Sequence, residues 1–147
     1  MNQQLKMTKE FIAPKPNPNN PYYKQFIKYC ESIDVNKSVI ENLELIENIE
    51  DSKVELLITH LLELACMTQN IANINIGRYY LQSMPKEWGK TKFSRLIEPI
   101  LTQGDYWEYI RCLELFSSID EELTQKITKK AIRHEDIEIR ELGLEWA

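Results

Sequence analysis

A pattern returns twice in the last third of the chain: an apolar helix, a short acidic break, then isoleucine and arginine in a second helix. It reads Leu96-Ile97-Glu98-Pro99-Ile100-Leu101, then Asp105, then Ile110-Arg111. It returns as Ile127, Ala131-Ile132, then Asp136, then Ile139-Arg140. A period of about thirty residues marks helical hairpins that cannot bury an apolar face alone and so pack on their neighbours into one core. Stacks of this kind are commonly recognition surfaces, so the pattern points to binding without naming what is bound.

The rest of the chain fits the same plan. From Tyr22 onward, apolar residues recur at steps of three and four with almost no alternation of period two, which predicts helices throughout and no strands. The expected helices cover 22–32, a segment after Ser38 carrying Val39, Leu43, Ile46 and Ile49, a third from Ser52, a fourth from Asn73 to just before Pro85, then 90–101, 105–116, 120–133 and 136–147. Ser38 with Glu41, Ser52 with Glu55 and Ser118 with Glu121 have the spacing of a capping box, as does Asp105 with Glu108 in a looser form. Such a cap stabilises a helix by about 1 kcal/mol. Short connections make successive helices antiparallel neighbours. The predicted architecture is therefore all-α: a right-handed stack of about four antiparallel hairpins over residues 22–147. It is preceded by an arm, residues 1–21, in which Ala13 to Pro21 holds four prolines and three asparagines. Prolines remove backbone donors and favour extended chain, so the arm is either a flexible leader or a strap along the helical body.

Composition excludes several classes. Four scattered glycines make no phosphate-cradling loop. Cys30, Cys66 and Cys112 are odd in number and lie in apolar helical patterns, which predicts buried thiols rather than a disulfide framework. His60 and His134 have no second ligand at helical spacing, no serine stands in a nucleophile elbow, and neither a metal nor a cofactor is expected. No apolar run approaches the ~20 residues of a membrane helix, and residues 1–11 lack the apolar stretch of a secretory signal, so the expected place is the cytoplasm. The net charge of −5 is striped: +4 over residues 1–30, −7 over 31–70, +3 over 71–104 and −5 over 105–147. Stripes of this kind are either solvated helix faces or an acidic patch that meets a basic partner.

Residues 52–147 resemble the HEAT repeat family. The match is best at Asp136-Ile137-Glu138-Ile139-Arg140, looser at Asp105 through Ile110-Arg111, and degenerate at Asn73-Ile74-Asn75-Ile76-Gly77; Pro99 stands where such repeats carry a bending proline. The resemblance implies a superhelix of hairpins in which Asp105, Arg111, Asp136 and Arg140 are structural, the acids capping and the arginines reaching a neighbouring hairpin's acid. It also implies that second helices line the concave face. On them lie Tyr79-Tyr80, Tyr106-Trp107-Tyr109 and Trp146, with Glu108, Glu114, Glu138, Glu141 and Glu145. In each aromatic cluster one ring is expected in the core, and Trp107 or Tyr106 is the first choice for an exposed one.

The reading is a non-enzymatic module whose candidate partner-binding residues are Tyr79, Tyr106, Trp107, Glu108, Glu114, Glu138, Glu141 and Glu145, offered to a basic protein. A concrete version is a bacterial immunity protein that neutralises a toxin; the frequent Ile, Asn and Lys fit a low-GC genome. One alternative is a HEAT-like DNA alkylation-repair glycosylase with Asp105 and Trp107 as its pair, which the acidic C-terminal hairpins oppose because a DNA binder needs a basic stripe. The other is a structural subunit of a larger helical assembly, self-associating through an open C-terminal end.

Overall fold

The computed structural model describes residues 11–147; the first ten residues of the arm, and most of the stretch read for a secretory signal, lie outside the described part. Among the described residues there is no strand, and no helix is long and apolar enough to cross a membrane. Among the described residues nine α-helices follow one another: α1 Pro21–Ser32, α2 Lys37–Glu41, α3 Asp51–Ala65, α4 Ile71–Gln82, α5 Ser94–Leu96, α6 Glu98–Gln103, α7 Tyr106–Ser117, α8 Glu121–Ile132 and α9 Ile137–Trp146. A 3-10 turn spans Leu43–Asn48 and a π turn spans Gly89–Phe93.

Two expected helices are broken, each for a local reason. The segment expected to run unbroken from Ser38 starts earlier, because the Asn36 side chain accepts from the Ser38 N–H at 2.9 Å. It stops at Asn42, whose φ of −139° and ψ of 82° leave the helical region, and the 3-10 turn that follows buries only Ile46. The helix expected over 90–101 is split into the π turn, α5 and α6. Pro99 near the start of α6 has no N–H to give the Arg95 carbonyl one turn earlier, so the helix bends at Ile97.

Capping also differs from expectation. Ser52 and Ser38 lie inside their helices, and Ser118 closes α7 instead of opening α8. The helices are opened instead by Asn70, Asp105, Asp120 and Asp136, each with a side-chain oxygen accepting a first-turn N–H. Only Asp105 and Glu108 close a reciprocal capping box: Glu108 N–H donates to Asp105 Oδ1 at 3.0 Å and Asp105 N–H to Glu108 Oε1 at 3.2 Å.

The core runs along the whole chain through Phe26, Cys30, Leu57, Leu61, Leu62, Phe93, Ile97, Leu101, Tyr109, Leu113, Phe116, Ile127 and Trp146. The closest helix pairs are α3 with α4 and α8 with α9, with α7 against both α8 and α9, and α1 against α4. A small residue recurs seven positions after each second-helix cap, as Gly77, Cys112 and Gly143. A Cβ on Gly77 would sit 2.5 Å from the Leu61 carbonyl oxygen, and one on Gly143 would sit 2.8 Å from the Ile132 nitrogen. Within each of these helix pairs, α3 with α4 and α8 with α9, the backbones approach so closely that no side chain fits between them.

Ion pairs link one hairpin to the next. Arg78 on α4 meets Glu114 on α7 at 2.6 Å, and Arg111 meets the same oxygen at 2.9 Å. Arg111 also donates to the carbonyls of Met67 at 3.2 Å and Thr68 at 3.3 Å, in the loop between α3 and α4. The neighbouring acid that the pattern assigned to this arginine is thus reached by Arg78, while Arg111 grips backbone. Arg140 stays within its own hairpin, donating to the carbonyls of His134 and Glu135. The described part of the arm lies on the same network. Gln82 donates to the Phe11 carbonyl at 2.7 Å and to Ser118 Oγ at 2.8 Å and accepts from Ala13 N–H at 2.9 Å, and the Phe11 ring lies under the Arg78 guanidinium.

Candidate functional site

α3 meets α5 through the pair of Glu55 and Arg95, 2.6 Å apart. Beside that contact lies a groove of about 820 Å³, lined by Thr59 and Glu63 of α3, Cys66, Met67 and Thr68 of the following loop, Arg95, Leu96, Pro99, Ile100 and Gln103 of the α5–α6 segment, and Glu108 of α7. Its lining joins the apolar Leu96, Pro99, Ile100 and Met67 to the polar Thr59, Glu63, Gln103 and Glu108.

The charges in the lining are unequal. Arg95 is held by Glu55, with nitrogen–oxygen distances of 2.6 and 3.4 Å, and that bidentate pair holds the Glu55 carboxyl below its usual range. Glu63 is exposed on the same face and forms no ion pair among the described residues. Glu108 serves the capping box. The lining thus holds two carboxylates, and Arg95, the cation beside them in that lining, is paired with Glu55.

The predicted residues fall into three places. Tyr106 and Trp107 meet edge to face with centroids 5.4 Å apart, and Trp107 is the exposed ring, 52% open to solvent. Glu108, next in sequence, is the one predicted residue that lines the groove. Glu114 is enclosed by Arg78 and Arg111, so its charge serves the fold. Tyr79 is half-buried, edge-on to Tyr80, in a hollow beside Lys15, Pro16 and Pro18 of the arm. Glu138, Glu141 and Glu145 are exposed on α9, flanking Ile137 and Leu144, which are 60% and 63% open. Tyr80, Tyr109 and Trp146 are core rings.

The openings of α4, α7 and α9 lie side by side. Arg111 ties α7 to the loop before α4, and the Tyr109 ring meets His134 just before α9, centroids 5.4 Å apart. Each opening shows a large apolar side chain: Ile71, 75% open, then Trp107, then Ile137. Met67 joins this row to the groove, since it lines the groove and its sulfur accepts from Asn73 on α4.

No reactive group is poised in this region. Cys66 lines the groove, but its sulfur lies 3.2 Å from that of Cys112, and the hydrogen bond between them, together with burial, pushes the Cys112 thiol well up. Cys30 is raised by burial to about 12. Cys112 and Cys30 therefore stay protonated at neutral pH and are weak nucleophiles. His60 stacks on Tyr29 at 3.8 Å, and burial lowers its pKa. Asp105 directs its carboxylate to its own helix. Among the described residues no group of three or more His, Cys, Asp or Glu is placed to hold a metal ion.

Sequence reasoning missed Thr59, Glu63, Leu96 and Ile100 because the groove joins residues some forty positions apart. Pro99, read as a bend, was the available signal. Comparison of the chain with protein-family models, with curated proteins and with solved structures gives no match in any of the three.

Proposed function

We propose that this chain is a non-enzymatic protein-binding module of HEAT-like hairpins that presents an acidic, aromatic surface to a basic protein in the cytoplasm. The observation that carries the reading is the row of Ile71, Trp107 and Ile137 at the openings of the second helices, set among acids. Asp105, Asp136, Glu138 and Glu141 stand beside these side chains, while Arg111 and Arg140 are bound to backbone carbonyls. An exposed indole buries a large area at small entropic cost, and surrounding carboxylates speed the approach of a basic partner. Neutralisation of a bacterial toxin is the most specific form of this reading.

The test is an affinity pull-down with the tagged protein at low and high salt, followed by mass spectrometry. The reading expects one basic protein, released by salt and lost in Trp107→Ala. Salt-sensitive recovery of nucleic acid in its place would return Asp105 and Trp107 to consideration as a catalytic pair. A second reading rests on the outer face of α9, where Ile137 and Leu144 are open on one stripe. Self-association through that face predicts a dimer by light scattering that Leu144→Glu converts to monomer.

A further inference from the structure

We propose that the groove between α3 and the bent α5–α6 segment is the seat of an amphipathic basic helix of the partner. This rests on the binding-module reading and goes beyond it by naming the groove that receives the partner and the kind of segment it receives.

Three observations select this occupant. The first is shape: the groove follows α3 from Thr59 to Cys66, about 10 Å or two helical turns, and is open along its length. An open trough of this kind suits the side of a rod better than a small molecule, which would need enclosure over most of its surface. The second is the mixed lining, with the apolar Leu96, Pro99, Ile100 and Met67 beside the polar Thr59, Glu63, Gln103 and Glu108. Apolar side chains of a docked helix, spaced three and four apart, would meet the apolar residues while its flanks met the polar ones. The third is charge. Glu63 and Glu108 face the opening, and Arg95 is engaged by Glu55, so lysines or arginines on the flanks of the incoming helix find acceptors and acids find none. Leu56, half open one turn before Thr59 on the same face of α3, extends the apolar track.

The experiment uses three fluorescent synthetic peptides of about five helical turns. One carries leucines in a helical stripe among lysines, one has the same composition scrambled to destroy the stripe, and one replaces lysine by glutamate. Anisotropy gives affinity, and amide shifts of the ¹⁵N-labelled protein locate the site. The striped lysine peptide is expected to bind roughly tenfold more tightly than the scrambled one, with the acidic peptide weaker still. Shifts should gather on Thr59, Glu63, Leu96, Ile100 and Glu108, and Glu63→Lys should weaken binding about fivefold. Ile100→Glu should abolish it, with Glu63→Lys serving as the control because it lies on an exposed position. Equal binding of the two lysine peptides, with shifts confined to Trp107 and α9, would overturn the groove assignment and leave the basic-partner reading standing. Binding of the acidic peptide in preference to both would overturn the two together.

Discussion

The two flanks of α3 make the most instructive contrast in this molecule. On one side the helix meets α4 so closely that a single methyl on Gly77 would strike the Leu61 carbonyl and the Ala65 nitrogen. On the other it meets α5 through Glu55 and Arg95, and a groove of about 820 Å³ lies beside that contact. On the first flank a glycine removes the side chain that would hold α4 off. Close contact along the first flank holds the fold, which frees the second to remain open. A protein that had closed both flanks would gain core and lose this groove.

The largest effect should come from disturbing the closed flank. Gly77→Val places two methyl groups against backbone, which cannot yield as a side chain could, and should cost about 3 kcal/mol in urea unfolding. A cost near zero would mean that α3 and α4 have room the structure does not show. Next comes the ion cluster that locks α4 to α7. Glu114→Ala leaves the Arg78 guanidinium, 10% exposed and already with an unbonded Nε, without its acid. The expected loss is about 2 kcal/mol, and Glu114→Gln, which keeps hydrogen-bonding capacity, should lose less.

A smaller effect belongs to the third side of α3, where His60 packs against Tyr29 and Phe26 of α1. Burial lowers the His60 pKa from its ordinary 6.5, so below that pH the unfolded chain binds a proton more readily than the folded one. Stability should fall as the pH drops through 6.5 and level off once the folded-state pKa is passed. In His60→Phe this part of the slope should vanish when melting temperatures are compared between neutral and mildly acidic pH. An unchanged slope would place the proton uptake elsewhere.

Much of the closed side was legible in the sequence. The three-and-four spacing of apolar residues located α1, α3, α7, α8 and α9 to within about two residues, a normal margin for helix ends. Asp105 and Asp136 were read as caps, and Trp107 or Tyr106 as a ring for the surface, because adjacent aromatics on a helix cannot all face inward; Trp107 is the open one. Two serine caps misled because Asn36 and Asp120, each two residues away, open those helices instead, accepting from the Ser38 and Leu123 N–H groups. Arg78 carried no motif, since its partner Glu114 is thirty-six residues away on another helix. The open flank was the least legible part. A groove is a place where packing stops, and no periodicity records the distance between two helices brought together by the rest of the fold.

The most direct test of the account measures stability and binding together in Glu63→Lys. The side chain is exposed and makes no ion pair among the described residues, so the urea midpoint should shift by less than about 0.5 kcal/mol while the striped lysine peptide loses about fivefold in affinity. Loss of stability in step with affinity, or full affinity in a stable protein, would contradict the claim that one flank of α3 holds the fold and the other receives the partner.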